Sequence, residues 1–191
     1  LCTKAHDLAS AVETARPLIG SHTAIIPAIN GLPWWYFKGL PGRHAGPISA
    51  VDPDSSLWAE FEADRIIGAV VHFGASVAAP GLVRRTPGPR LILGELDGQA
   101  SERVRHVAAM LTEGGLATEI DPHIRDAVWS KLLGNIATNP LSVLCGATLD
   151  RMFGEPALLA IVRTQMTEAL AVGAACGVRF EQDVDERIDI G

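Results

Sequence analysis

The stretch Trp129-Ser130-Lys131-Leu132-Leu133-Gly134-Asn135-Ile136-Ala137-Thr138-Asn139-Pro140 combines a helical apolar pattern with three polar side chains. In a helix, Lys131, Asn135 and Asn139 lie at i, i+4 and i+8 and share one narrow arc. Asn is a poor helix former, and such a conflict with propensity is typical of functional sites. One ammonium and two amides suit a small ligand with a carbonyl, hydroxyls or a carboxylate. The alternative is a solvated helix face, because isolated Lys and Asn side chains are mostly exposed.

The composition is that of a globular protein: 191 residues, 48% hydrophobic and 20% charged, with a formal net charge of −6. An acidic balance without a Lys/Arg run argues against a nucleic-acid or membrane-surface partner. No apolar run approaches the roughly 20 residues of a membrane helix. Three widely spaced cysteines, Cys2, Cys145 and Cys176, predict reduced, buried thiols in a cytoplasmic protein. The histidines lack metal-ligand spacing, so we expect no metal site.

The first 120 residues show mixed helical and strand patterns. The end of a strand at 1–3, a helix with Asp7 as its cap and a strand at 23–29 predict a right-handed crossover unit of a parallel sheet. Further strands are expected at 65–73, 82–86 and 90–94, the last two joined as an antiparallel hairpin. The aromatic residues at 34–37 favour packing or an interface over ligand stacking.

The pattern becomes purely helical after residue 120. Just before that point, Ser101 is expected to cap a helix that ends at Gly114 and Gly115, and a strand is expected at 116–120. Asp121 is expected to cap the helix of the polar arc, with Pro140 as a kink or a new start. A last helix runs over 156–176. The pattern therefore predicts an α/β part to about residue 120 and a helical part from 121 to 191.

The familiar phosphate and nucleophile motifs do not occur in the chain: there is no G-x-G-x-x-G, P-loop, G-x-S-x-G or C-x-x-C. What remains, besides the helical arc, is Lys4 and Asn30 just after strand-like segments and His72 within one. Open α/β sheets bind ligands at the carboxyl ends of parallel strands, so these positions are candidates for a binding edge.

Taken together, these residues resemble the ketopantoate reductase (2-dehydropantoate 2-reductase) family in order and approximate spacing over nearly the whole chain. The matching segments are Thr3–Ala5, Ile29–Pro33, Gly68–His72, Ile124–Leu132 and Asn135–Leu144. The most specific piece is Trp-x-Lys-Leu-x-x-Asn-x-x-x-Asn-Pro-Leu, which begins at Trp129.

The resemblance implies an α/β fold: the C-terminal part of a Rossmann-type NADP-binding domain at 1–120, then the N-terminal part of an all-helical substrate and dimerisation domain at 121–191. It implies NADPH-dependent reduction of 2-dehydropantoate to pantoate in pantothenate and coenzyme A biosynthesis, with a homodimer as one form of assembly.

The resemblance also implies roles for single residues. Lys131 would be the general acid that protonates the carbonyl oxygen of the substrate. Asn135 and Asn139 would hold its carboxylate or hydroxyls. Asn30 would lie between nicotinamide and substrate, and Lys4 would neutralise the phosphates of NADP.

Some family features are missing from these 191 residues. The first strand, the glycine-rich loop and the residue that reads the 2′-phosphate are expected before Leu1, and a Ser and a Glu of the substrate pocket beyond Gly191. Because both ends look cut, we expect residues 1–191 alone not to turn over. Two alternatives stay open: a related reductase of another small 2-keto acid, suggested by the Trp-rich segment at 34–37, and a non-catalytic dimerisation or interaction module.

Overall fold

The computed structural model describes residues 1–42 and 45–190, which divide into two compact units, Leu1–Ala127 and Val128–Gly191. The strands are β1 Ile67–His72, β2 Ala75–Ala79, β3 Leu82–Arg85, β4 Arg90–Glu95 and β5 Ala117–Ile120. The helices are α1 Leu8–Ala15, α2 Ser56–Glu60, α3 Glu102–Glu113, α4 Ile124–Cys145, α5 Leu149–Gly154, α6 Pro156–Ala175 and α7 Val184–Ile190. The architecture is therefore α/β followed by a helical part, as the sequence predicts.

The first unit is built on a mixed sheet in the order β1-β4-β5. β1 and β4 are antiparallel, with Ala69 opposite Leu93, and β4 and β5 are parallel. On the other side of β1, Ile25 forms a parallel bridge with Ile66. The amine of Leu1 donates to the carbonyl of Ile26, and the amide of Ala28 donates to the carbonyl of Leu1, both at 2.9 Å. Leu1, the segment 25–28 and β1 thus run parallel.

The strand expected at 23–29 is present only as an extended segment with one isolated bridge at Ile25. Pro27 has no N–H to donate to a neighbouring strand, which explains why a regular ladder does not form there.

Both faces of the sheet are covered. On one face, α3 packs through Val104 and Ala108 against a cluster of buried strand residues: Ile67, Ala69, Leu91 and Leu93. The expected cap of α3 is confirmed, because Ser101 Oγ accepts a hydrogen bond of 3.2 Å from the amide of Val104. Ile67, Ala69, Leu91 and Leu93 occupy every second position of β1 and β4, and they share one face because side chains in a strand alternate between its two faces.

A pair of glycines opens the other face of the sheet. Gly68 and Gly94 are partners in the β1–β4 ladder. A Cβ at Gly68 would lie 2.8 Å from Ile124 Cγ1 and 2.9 Å from the Trp35 ring, and a Cβ at Gly94 would lie 2.7 Å from Ile124 Cβ. The pair therefore forms a slot, here called the glycine slot, that Ile124 and Trp35 fill.

The aromatic segment at 34–37 belongs to the same core. Trp34, Trp35 and Tyr36 are buried, and the rings of Trp34 and Phe61 are 6.0 Å apart. Of the interpretations weighed for this segment, packing is the one the burial supports.

The hairpin expected between 82–86 and 90–94 is wrong. β3 pairs instead with β2, through a turn at Gly81 with φ +75°, and β4 pairs with β1 and β5. Every residue of β2 and β3 is exposed. The segments near 82 and 90 have similar apolar patterns, so local sequence does not identify their partners.

Two predicted helix caps and the burial of the cysteines also need correction. Asp7 precedes α1 but makes no capping hydrogen bond. Asp121 Oδ1 accepts a hydrogen bond of 2.7 Å from the amide of His123 in a turn, so α4 begins later, at Ile124. The three cysteines are free, but Cys2 and Cys145 are exposed and Cys176 is half-buried.

The second unit is a small helical core around α6. Its buried members come from α4, α5, α6 and the loop between α4 and α5: Leu133, Ala137, Leu141, Ala147, Met152, Val162, Met166 and Ala169. Gly177, with φ +86°, ends α6 as predicted, and the amide of Val178 donates to the carbonyl of Gly173 at 3.0 Å. This is the glycine-terminated helix end that the sequence indicates.

Among the described residues, one helix, α6, is long and apolar enough to cross a membrane when only length and composition are considered, although no apolar run of that length is expected from the sequence. A core helix can pass the same test, and Val162, Met166, Ala169 and Gly173 of α6 are buried.

Candidate active site

The polar arc predicted from the sequence lies on one helix, α4, which runs from Ile124 to Cys145. Lys131, Asn135 and Asn139 therefore do occur at i, i+4 and i+8 of a single helix. Pro140 lies inside this helix, so no new segment starts there. The opposite face carries Leu133 and Ala137 into the helical core, which determines how α4 is rotated within the second unit.

Solvent exposure increases along the arc. Lys131 and Asn135 are half-buried, whereas Asn139 is exposed. Burial lowers the pKa of Lys131 below the ordinary value for lysine, because a charged ammonium loses solvation there. A half-buried ammonium beside an amide is suited to a ligand oxygen that becomes negative during a reaction.

Lys4 and Asn30 lie in the first unit, at comparable positions on two neighbouring parallel segments. The hydrogen bonds of Leu1 to Ile26 and Ala28 place Leu1 beside Pro27. Lys4 lies three residues after Leu1, and Asn30 lies three residues after Pro27. Both residues are exposed. His72 ends the next parallel segment, β1. The structure thus brings Lys4 and Asn30 to the carboxyl edge of the parallel segments, where α/β sheets bind ligands.

A nicotinamide dinucleotide fits this edge by its chemistry. An exposed ammonium at Lys4 suits a phosphate, and the amide of Asn30 can donate and accept hydrogen bonds. Among residues 1–42 and 45–190, no group of three or more His, Cys, Asp or Glu side chains is placed to hold a metal ion.

Two arginines were missed by the sequence analysis. Arg125 donates to three backbone carbonyls of the first unit, and the guanidinium of Arg187 lies against α4 at Gly134. Their neighbours are distant in sequence, so no local pattern identifies them.

Comparison with known proteins gives consistent results. The family model "Ketopantoate reductase PanE/ApbA C terminal" matches residues 123–190. The 2-dehydropantoate 2-reductase of Mesorhizobium japonicum is 42% identical over 189 residues, an alignment that covers 98% of this chain and 58% of the relative.

Solved structures agree with the sequence relatives. A protein from Ralstonia solanacearum, solved as a candidate ketopantoate reductase, is 37% identical with a TM-score of 0.94, covering 100% of this chain and 59% of that one. A D-mandelate dehydrogenase solved with NADH shares the fold at a TM-score of 0.77 and 20% identity, covering 98% of this chain and 56% of that one.

The chain thus spans somewhat under 60% of the length of these relatives. Within that span, the sequence relative and the family model both carry the name of ketopantoate reductase or its synonym. The polar arc on α4 lies in the segment that the family model matches. Residues 123–190 thus match the C-terminal model of the ketopantoate reductase family, and nearly the whole chain is similar to enzymes named 2-dehydropantoate 2-reductase.

Proposed function

We propose that the enzyme to which this chain contributes reduces 2-dehydropantoate to pantoate with NADPH, in the biosynthesis of pantothenate and coenzyme A. The observation that carries this proposal is the half-buried Lys131, with its lowered pKa, on one helical arc with Asn135 and Asn139. The family relationship supports the substrate class, a small 2-keto acid.

A nicotinamide cofactor, which Lys4 and Asn30 would hold, would supply a hydride for the keto carbon. As the C–H bond forms, the electron pair of the carbonyl π bond moves onto oxygen, which then requires a proton. Lys131 Nζ donates that proton, and its positive charge stabilises the developing oxyanion. Asn135 and Asn139 hold the carboxylate or the hydroxyl group of the substrate, while Lys4 and Asn30 would hold the cofactor at the sheet edge. We propose a cytoplasmic location for this enzyme, and a homodimer as its assembly.

A second candidate is reduction of a different 2-keto acid. The D-mandelate dehydrogenase neighbour shows that the same fold occurs in an enzyme named for another 2-hydroxy acid, solved with NADH. Substrate and cofactor are therefore tested together.

The experiment measures oxidation of NADPH and of NADH by the full gene product that contains these 191 residues, with 2-dehydropantoate, 2-oxoisovalerate and phenylglyoxylate. We expect the highest kcat/KM with NADPH and 2-dehydropantoate. A higher kcat/KM with phenylglyoxylate or 2-oxoisovalerate would favour the second candidate, and a preference for NADH would overturn the proposed cofactor. No turnover of any 2-keto acid would refute both and leave an interaction module.

A further inference from the structure

Arg187 lies at the edge of the polar arc on α4. A Cβ added at Gly134 would be 3.0 Å from Arg187 Nη2, 3.7 Å from its Cζ and 3.8 Å from its Nε. Gly134 follows Lys131 by three residues, and Cβ positions at that spacing on a helix are about 5–6 Å apart. The missing side chain at Gly134 therefore leaves room for a second cation on the Lys131 side of the arc.

The position of Arg187 is determined by its helix, α7. Asp183 and Glu186 form a reciprocal capping box: the amide of Asp183 donates to Glu186 Oε2 at 3.0 Å, and the amide of Glu186 donates to Asp183 Oδ1 at 2.9 Å. Arg163 of α6 pairs with Asp185. Val184 and Ile188 pack against the helical core. Five neighbours of Arg187 thus hold α7 in place without the guanidinium itself.

The guanidinium of Arg187 has an unused hydrogen-bond donor within the part of the chain that the structure describes. Its Nε is shielded from solvent and has no acceptor, and no described carboxylate forms an ion pair with it. Arg163, on the adjacent helix, does have such a partner in Asp185. Because a shielded polar group normally finds a hydrogen bond, the unused donor calls for an acceptor from outside these residues.

A 2-keto acid offers an acceptor of the right kind. Its carboxylate is bonded directly to the keto carbon, and a planar guanidinium binds a carboxylate through two parallel hydrogen bonds. We propose that Arg187 binds the substrate carboxylate, so that the adjacent carbonyl oxygen faces Lys131. Asn135 and Asn139 then hold the hydroxyl group of the substrate. This inference rests on the proposed function and assigns the carboxylate to one residue.

The test compares an acid with its neutral ester in the active enzyme. The variants are Arg187→Met, Arg187→Lys and the matched control Arg151→Met, which changes an exposed arginine of α5 in the same unit. Losing a hydrogen bond to a charged group corresponds to about a 10- to 100-fold loss. We expect Arg187→Met to lower kcat/KM for 2-dehydropantoate by that factor and to leave kcat/KM for its methyl ester unchanged. Arg187→Lys retains part of the preference for the acid, and Arg151→Met retains all of it.

A binding measurement separates this inference from the proposed function. A 2-keto acid that binds only the folded protein raises its melting temperature. We expect 2-oxoisovalerate to raise the melting temperature of the wild type and of Arg151→Met, but not that of Arg187→Met. An inactive wild type would refute the proposed function, while the melting shift would still decide on Arg187.

Two results would overturn the assignment of Arg187. One is an Arg187→Met variant that keeps the wild-type acid-to-ester ratio and the melting shift. The other is a variant that is destabilised while that ratio is unchanged, since this is the behaviour of a purely structural arginine. If Arg187→Met does not fold, Arg187→Lys decides through the same ratio.

Discussion

Arg125 Nε donates a hydrogen bond of 2.7 Å to the carbonyl oxygen of Tyr36, a residue 89 positions earlier in the chain. The same guanidinium donates to the carbonyls of Leu96 and Lys38, also at 2.7 Å. Burial lowers the pKa of Arg125, yet three carbonyl acceptors compensate for the lost solvation. Arg125 thus connects the aromatic segment, the end of β4 and the first turn of α4 within the first unit.

We predict that Arg125→Lys destabilises the protein although the charge is kept. An ammonium cannot reproduce the planar fork that reaches three carbonyls. The loss of one hydrogen bond involving a charged group corresponds to about 1.5–3 kcal/mol. Urea denaturation measures the free energy of unfolding, with Arg105→Lys on the exposed side of α3 as the control. Equal stability of the two variants would show that the three hydrogen bonds contribute little.

The second prediction concerns the pH dependence of Lys131. A general acid must be protonated, so it acts only below its pKa. Since burial lowers that pKa, kcat/KM should be constant at neutral pH and fall as the pH rises through a value below the roughly 10.4 of a free lysine. Lys131→Ala should lower kcat by about 10²–10⁴-fold, remove this alkaline decrease and leave cofactor affinity unchanged. A loss of less than roughly tenfold would transfer the acid role to another residue.

The third prediction separates binding from stability at the two amides of the arc. Asn135→Ala and Asn139→Ala should each reduce kcat/KM by the equivalent of about 0.5–1.5 kcal/mol, the usual net value of a neutral hydrogen bond. Asn139 is exposed and lies within a continuous helix, so it is not expected to brace a break at Pro140. Melting temperatures should therefore stay at the wild-type value for both variants. A destabilised but fully active Asn135→Ala would show that its amide serves the fold.

The fourth prediction concerns Pro140, which lies inside α4 and has no amide hydrogen for the carbonyl of Ile136. Pro140→Ala should therefore stabilise the protein, by at most the roughly 3 kcal/mol that separates Pro from Ala in a helix interior. Pro156→Ala is the matched control, because Pro156 is the first residue of α6, where proline costs nothing. Urea denaturation of both variants checks this. A destabilised Pro140→Ala would indicate that its ring makes packing contacts that outweigh the missing hydrogen bond.

Features set by neighbouring residues were predictable from the sequence. The Ser101 cap, the end of α6 at Gly177 and the shared arc of Lys131, Asn135 and Asn139 all depend on residues within a few positions of each other. Short side-chain hydrogen bonds and helical periodicity act over that range.

Features set by distant residues were not predictable. The partner of β3, the three acceptors of Arg125 and the place of Arg187 beside Gly134 all depend on how remote segments pack. The helix cap predicted at Asp121 is wrong for a different reason. An Asp side chain can accept a hydrogen bond from a turn amide as readily as from the first amides of a helix. The predicted roles of Lys4 and Asn30 depend on a bound cofactor and stay predictions.

The glycine slot makes the acceptable residues at three positions depend on one another. A methyl group at Gly94 would lie 2.7 Å from Ile124 Cβ and 2.4 Å from the carbonyl oxygen of Asp121, so Gly94→Ala alone forces the backbone to move. At Gly68 the obstacles are the side chains of Ile124 and Trp35, so trimming Ile124 relieves part of the clash there. A change at Gly68 is therefore open to epistatic compensation from residue 124, whereas a change at Gly94 is not. A smaller residue at position 124 is therefore a precondition for a larger one at position 68, but it does not make position 94 tolerant.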